Sequence, residues 1–145
     1  MTNLVKFKKL CDNAHAPMYQ TDGAVGADLA SVEDVEILPG EFKLVRTGIA
    51  VELPRGIEMQ IRPRSGLAYK HGVTVLNTPG TIDSDYIGEI GIILINHGKD
   101  AFRISIGDRI AQAVLNKVVL ANYRQTTTLR ESARGSGGFG HTGRS

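Results

Sequence analysis

Cysteine occurs once in these 145 residues, as Cys11. An intramolecular disulfide is therefore excluded, which fits a reducing compartment; Cys11 reads as a small side chain, buried or half buried. Long apolar runs are missing as well. No stretch approaches the ~20 apolar residues that a membrane-spanning helix needs. Residues 1–9 hold no apolar segment of signal-peptide length, so a cytoplasmic protein without membrane contact is expected. Charge of one sign is scarce too: 17 Lys and Arg stand against 15 Asp and Glu, a net +2. A nucleic-acid surface calls for a strong basic patch, so no nucleic-acid partner is expected. A partner met through a few placed arginines fits better. Also absent is any long amphipathic helical pattern.

What the chain does have is period two. Ile57-Glu58-Met59-Gln60-Ile61-Arg62 and Phe102-Arg103-Ile104-Ser105-Ile106 alternate apolar and polar side chains, as half-buried strands do. Val45, Thr47, Ile49, Val51 and Leu53 share one parity. Ile90-Gly91-Ile92-Ile93-Leu94-Ile95 is a continuous apolar run and reads as a strand buried on both faces. Ile110 to Leu115 and Lys117 to Leu120 extend the series. Turn signals separate these runs: Leu38-Pro39-Gly40, Pro54-Arg55-Gly56, Thr78-Pro79-Gly80, Asn96-His97-Gly98 and Gly107-Asp108. Many short strands at this spacing predict an all-β sandwich or barrel. The one short helical candidate is Gly66-Leu67-Ala68-Tyr69-Lys70. With 41% apolar and 22% charged residues, the composition suits a soluble domain that builds its own core. Three parts are expected: a β-sandwich over residues 1–121, a linker over 122–133, and a glycine-rich arm over 134–145. Residues 134–143 hold five glycines around Arg134 and Phe139. Such a segment does not fold alone; it is either a tail or a lid that orders on a ligand.

Several segments carry candidate chemistry, and each has two readings. Asp83-Ser84-Asp85-Tyr86 is either a solvated hairpin end, its two aspartates on one strand face, or a carboxylate placed to activate water. In Pro63-Arg64-Ser65-Gly66, Arg64 offers a forked donor set suited to phosphate and Ser65 opens the short helix, where free N–H groups bind anions; a capped turn would look the same. Asp28, in Gly26-Ala27-Asp28, is either a turn aspartate or a group that meets a metal directly or through water. In Gly107-Asp108-Arg109-Ile110-Ala111-Gln112, Asp108 starts a turn and Gln112 is an inward-facing strand residue with a satisfied amide.

Taken in order, these four segments and Arg134-Gly135-Ser136-Gly137-Gly138-Phe139-Gly140 resemble the five motifs of the trimeric dUTP pyrophosphatases, the dUTPases. The resemblance runs from about Gly23 to Gly143. It implies a jelly-roll-like β-sandwich or distorted barrel that forms a homotrimer, with the C-terminal arm of one chain closing a site built by the other two. About 20 extended residues reach on the order of 65 Å, enough for such an exchange. The implied activity is hydrolysis of dUTP to dUMP and pyrophosphate with Mg2+, which keeps uracil out of DNA and supplies dUMP for thymidylate synthesis.

The resemblance also implies roles. Asp83 looks like the general base, and Tyr86 the gate that leaves no room for a ribose 2′-hydroxyl. Asn77 with the backbone of Gly80, Thr81, Ile82 and Gly91 looks like the uracil reader. Arg64, Ser65, Gly66 and Gln112 look like the phosphate shell, and Asp28 would orient a water on the magnesium. In the arm, Phe139 would stack on uracil while Arg134, Gly140, His141 and Thr142 close over the phosphates. Three positions depart from the usual pattern: His141 stands where serine is common, Gly91 where a larger residue is common, and Ile87 where a polar one is common. A dCTP deaminase of the same fold and a nucleotide-binding module without catalysis are the alternatives, marked by ammonia release from dCTP or by tight dUTP binding without turnover.

Overall fold

Alternating side chains become sheet wherever one face can be buried. In the computed structural model, which describes residues 4–144, Ile57, Met59 and Ile61 turn inward from strand β5 (Ile57–Arg62), while Glu58, Gln60 and Arg62 are half buried on the other side. Met1, Thr2 and Asn3, where the reading of the N-terminus begins, and Ser145, the last residue of the expected arm, lie outside the described residues.

Two four-stranded sheets enclose the core. One orders β1 (Lys6–Lys9), β4 (Phe42–Glu52), β8 (Glu89–Asn96) and β6 (Val73–Val75) as β1-β4-β8-β6. The other orders β2 (Ala27–Ala30), β10 (Arg109–Lys117), β5 and β7 (Gly80–Ile82) as β2-β10-β5-β7. β3 (Val35–Ile37) and β9 (Phe102–Ile104) form a small third sheet, and the pairings are antiparallel. Val45, Ile49, Ile90, Ile92 and Leu94 from the first sheet meet Leu29, Met59, Ile61 and Ile110 from the second in one cluster. Each such side chain, fully buried, contributes about 1.5–3 kcal/mol. The helical candidate forms as α1 (Ser65–His71), ended by Gly72 in the left-handed conformation at φ +68°. Among the described residues no helix is long and apolar enough to cross a membrane.

Three expectations change. β8 is not buried on both faces. Ile90, Ile92, Leu94 and Asn96 are buried, while Glu89, Gly91, Ile93 and Ile95 are only half buried. Their outer face meets Leu44 and Phe42 of β4, themselves 63% and 62% exposed, and among the described residues no further layer covers them. The run from Lys117 to Leu120 is not a strand beyond β10, which ends at Lys117; Val118 gives its N–H to the Gly56 carbonyl at 2.9 Å and the chain then leaves the sheet. Asp83 and Asp85 are not on a strand, because β7 stops at Ile82 and the chain turns. Strands β1, β2, β3, β6 and β7 carry no legible period, because three or four residues are too few to establish one. Cys11 is half buried, as read.

β4 carries a bulge that bears on the site. Its pairing with β8 shifts between Arg46 and Ala50, around Gly48 at φ +65°. The Thr47 hydroxyl donates to the Ile90 carbonyl at 2.6 Å, and the Gly48 N–H donates to the Glu89 carboxylate at 2.9 Å. A Cβ at Gly48 would come within 2.7 Å of Cys11 Sγ and 2.8 Å of Val32 Cγ1. Gly48→Ala combines overpacking with an unfavourable backbone, so a loss of about 2–4 kcal/mol is expected. Denaturant unfolding measures it, and a loss below about 0.5 kcal/mol would mean that the bulge relaxes freely.

Candidate active site

Asp28 and Gln112 are brought together by register. Asp28 on β2 pairs with Gln112 on β10, and Gln112 pairs on its other side with Arg62 of β5. Directly opposite residues of an antiparallel pair share a face. Immediately after β5, Pro63 and Arg64 lead into α1, with Arg64 extended at φ −93°, ψ 129° as its N-cap. That conformation swings Arg64 over the same face. Its Nε lies 3.3 Å from Asp28 Oδ1, and its Nη1 donates to the Arg109 carbonyl at 3.0 Å. Arg109 Nη1 donates to Asp28 Oδ2 at 2.9 Å. The Gln112 amide donates to the Pro63 carbonyl at 3.0 Å, so the amide is satisfied as expected, but its side chain is not inward-facing: it is half buried on the Asp28 face because Ala111 and Ala113 take the inward positions.

Asp28, Arg64, Ser65, Gly66 and Gln112 line one cavity of about 220 Å3, with Gly26 in its wall. Two guanidiniums face one carboxylate here, so the locality favours an anion. No side chain caps the first turn of α1, which leaves its N–H groups for another acceptor. Gly26 is required by close approach: a Cβ there would overlap the Gln112 side-chain oxygen.

The hairpin residues lie elsewhere. Asn77 is in the turn between β6 and β7, and Gly80, Thr81 and Ile82 form β7 on the edge of the second sheet. A Cβ at Gly80 would press on Ile61 at 3.2 Å and approach Asn77 Nδ2 at 3.5 Å. Asp83 is exposed at the head of a turn closed by the Tyr86 N–H on the Asp83 carbonyl at 3.1 Å. Asp83, Ser84 and Asp85 border a broad cleft of about 730 Å3 with Arg55 and Glu58, which shares no lining residue with the Asp28 cavity. Tyr86 donates its hydroxyl to the Glu89 carbonyl at 2.7 Å, and its ring lies against Gly88, where a Cβ would meet the hydroxyl at 2.7 Å. Gly91 is in β8, on the other sheet, with Leu44 2.7 Å from where its Cβ would stand.

The arm forms local turns. Arg134 Nε donates to the Gly137 carbonyl at 2.7 Å, and the His141 N–H donates to the Gly138 carbonyl at 3.1 Å. Phe139, at φ +50°, is fully exposed, and Gly140 and Thr142 are exposed beside it. Among the described residues, no hydrogen bond or ion pair joins residues 121–144 to the sandwich. The structure thus gathers Asp28, Arg64, Ser65, Gly66 and Gln112, and holds the hairpin set and the arm set apart from them.

The dUTPase family pattern matches residues 12–143. The chain belongs to the dUTPase family. It is 59% identical over 140 residues to the deoxyuridine 5′-triphosphate nucleotidohydrolase of Nautilia profundicola, covering 97% of this chain and 99% of that one. The protein of the same name from Wolinella succinogenes is 56% identical over 149 residues, covering both chains fully. Among solved structures, the dUTPase of Staphylococcus bacteriophage 80alpha with dUpNHpp superposes with a TM-score of 0.91 at 27% identity, over 99% of this chain and 100% of that one. Relative to other dUTPase motifs in this chain, Arg109 is the side chain that sequence reading passed over. Its signal was the pattern Arg109-Ile110-Ala111-Gln112, where two apolar residues between polar ones break period two.

The wall at Gly26 has a direct test. Gly26→Ala is expected to turn the Gln112 amide off the Pro63 carbonyl in a crystal structure and to lower stability by about 1 kcal/mol. An amide still seated on Pro63 would show that the cavity wall yields instead.

Proposed function

We propose that this chain hydrolyses dUTP to dUMP and pyrophosphate, through attack of water on the α-phosphorus and cleavage of the bond to the bridging oxygen toward the β-phosphorus. The observation that carries the reading is the convergence of Asp28, Arg64, Ser65, Gly66 and Gln112 in one cavity, with the Asp28 carboxylate met by two guanidiniums, in a chain whose relatives are deoxyuridine 5′-triphosphate nucleotidohydrolases along nearly their whole length. A deaminase reading has no comparable support.

In this reading Asp83 takes the proton of the attacking water, a role that its exposed carboxylate permits. Arg64, the Ser65 hydroxyl, the Gly66 N–H and the Gln112 amide hold phosphate oxygens and offset the charge that gathers on departing pyrophosphate. Tyr86, anchored on the Glu89 carbonyl, bars a ribose. That is steric selection against UTP. Asn77 and the backbone of Gly80, Thr81, Ile82 and Gly91 read uracil. A cytosine there would leave the site's own donors and acceptors unpaired, which discriminates strongly.

The donor set fits Mg2+ carried in on a triphosphate. Among the described residues no three acidic, histidine or cysteine side chains converge, and Asp28 faces the cavity with each oxygen already engaged by a guanidinium. Asp28 would therefore hold the ion through water, as suits a cation that keeps much of its hydration shell. When bound, Mg2+ supplies charge neutralisation to the phosphate chain.

The assembly in this reading is a homotrimer with residues 1–121 as catalytic sandwich, 122–133 as linker and 134–145 as exchanged arm. Three observations support it. The Asp83 cleft and the Asp28 cavity are separate in one chain. Phe42 and Leu44 leave an apolar sheet face open. Arg134, Phe139, Gly140, His141 and Thr142 stand clear of their own sandwich, free to close over a site on other chains.

Phosphate balance with dUTP, UTP, dCTP and dTTP in Mg2+ tests the activity. Pyrophosphate and dUMP are expected from dUTP alone, and Asp83→Asn is expected to lose about 10²–10⁴-fold in turnover while still binding dUTP. Wild-type turnover in that variant would remove Asp83 from the chemistry. Deleting residues 134–145 is expected to leave a folded trimer by light scattering with little catalysis, and loss of the trimer would contradict a closing role for the arm.

A further inference from the structure

Arg109 reaches the cavity face because β10 is irregular. Gln112 pairs with Asp28 and Ala111 with Leu29, but Arg109 pairs with Ala30. Ile110 is therefore an extra residue in β10, a β-bulge. Without it Arg109 would stand opposite Ser31, one residue further on, and would point into the core. An unpaired guanidinium there would be costly. The bulge reverses the parity instead: Ile110 and Ala111 are both buried, and Arg109 emerges on the face of Asp28 and Gln112.

The consequence is a closed ring of contacts among three elements. Arg109 Nη1 occupies Asp28 Oδ2 at 2.9 Å, Arg64 Nε meets Asp28 Oδ1 at 3.3 Å, and Arg64 Nη1 gives a hydrogen bond to the Arg109 carbonyl at 3.0 Å. The Asp28 side chain is only 11% exposed inside this ring. Left with Arg64 alone, a carboxylate would take the guanidinium in the bidentate, fork-to-fork arrangement that such pairs favour. Arg64 would then spend its donors on Asp28. With Oδ2 held by Arg109, Asp28 meets Arg64 at one point.

We propose that Arg109 is a positioning residue for the phosphate shell: it holds one oxygen of Asp28 and offers its carbonyl to Arg64, which keeps Asp28 from closing on Arg64 and leaves guanidinium donors for phosphate. This rests on the reading of Asp28 and Arg64 as part of that shell. In this role Arg109 acts through Asp28.

The test is a double-mutant cycle read in two ways: kcat and KM for dUTP, and calorimetric binding of the non-hydrolysable analogue dUpNHpp in Mg2+. Arg109→Gln is expected to lose about 10- to 100-fold in kcat/KM and to bind the analogue more weakly, the range usual for partners that orient a binding group. Arg109→Lys is expected to recover part of the loss, because a cation returns to Oδ2 without the fork. On an Asp28→Asn background, Arg109→Gln is expected to add almost nothing, since no carboxylate is left to restrain. Unchanged analogue binding in Arg109→Gln, or the same fold-loss on both backgrounds, would overturn the proposal. Where Arg109→Gln fails to fold, Arg109→Lys carries the same cycle. Wild-type behaviour of both Arg64→Ala and Asp28→Asn would instead sink the phosphate-shell reading on which the proposal rests.

Discussion

Gln112 faces Asp28 across one ladder and Arg62 across the next, and the rest of the cavity follows from that register. β10 cannot slide. Ala111 and Ala113 are buried beneath it, and a slip of one residue would turn Gln112 into the core and expose its neighbours. The polar face is thus held in place by the apolar one. Small side chains at 111 and 113 lie between Leu29 on one neighbouring strand and Met59 and Ile61 on the other, in the cluster that meets Val45, Ile49, Ile90 and Ile92 of the facing sheet, so the positions of Asp28, Arg62 and Gln112 are set by packing and need no strong polar bond between them.

Two irregularities show how parity decides what a strand presents. In β4 the pairing with β8 moves from Arg46–Gly91 to Ala50–Glu89. That inserts two extra residues on β4, so inward parity survives and Val45, Ile49 and Val51 all stay buried. In β10 one extra residue reverses parity, and an arginine that would have faced the core faces the carboxylate of Asp28. An even insertion conserves the core pattern; an odd one moves a polar residue between faces. Both use the same freedom of an antiparallel ladder to absorb a bulge.

This difference also explains what could be read from the chain. The shared parity of Val45 to Leu53 was legible because the β4 bulge leaves it intact. β5 was legible to its ends because it alternates without interruption. Arg109 was not, because its place depends on a parity change that single-residue chemistry does not announce. The run from Ile90 to Ile95 suggested burial on both faces, since composition reports only that neither face is polar. Asp83 and Asp85 read as strand neighbours because their spacing of two is compatible with a strand and with the turn that forms. The segment from 63 to 66 was legible as a turn into a short helix, since proline and a helix start stand side by side there, while whether it binds an anion or is simply capped was not. That Asp28, Arg64, Ser65, Gly66 and Gln112 belong together was legible through the resemblance, while their distance from the Asp83 turn within one chain was not, because motif order along a sequence carries no distances.

Within the turn after β7, Tyr86 and Asp83 differ in how firmly they are held. Tyr86 is fixed at the ring by Gly88 and at the hydroxyl by the Glu89 carbonyl. The Glu89 side chain is in turn engaged by the Gly48 N–H and by Arg46, whose guanidinium is pushed above its ordinary pKa by that hydrogen bond and charge. Each bond contributes only about 0.5–1.5 kcal/mol, yet together they tie the tyrosine to the bulge of the longest strand. Asp83, by contrast, follows a three-residue edge strand and lies open to solvent. In the proposed reading that asymmetry has a chemical use. Rejecting a ribose needs a wall that does not yield, because a ring free to move by an ångström would admit one more hydroxyl. Activating water needs a carboxylate that water can reach, and burial before the arm closes would favour its neutral form and spoil it as a base. In that reading a tyrosine anchored through its hydroxyl, three residues from an accessible aspartate, serves both demands within one turn.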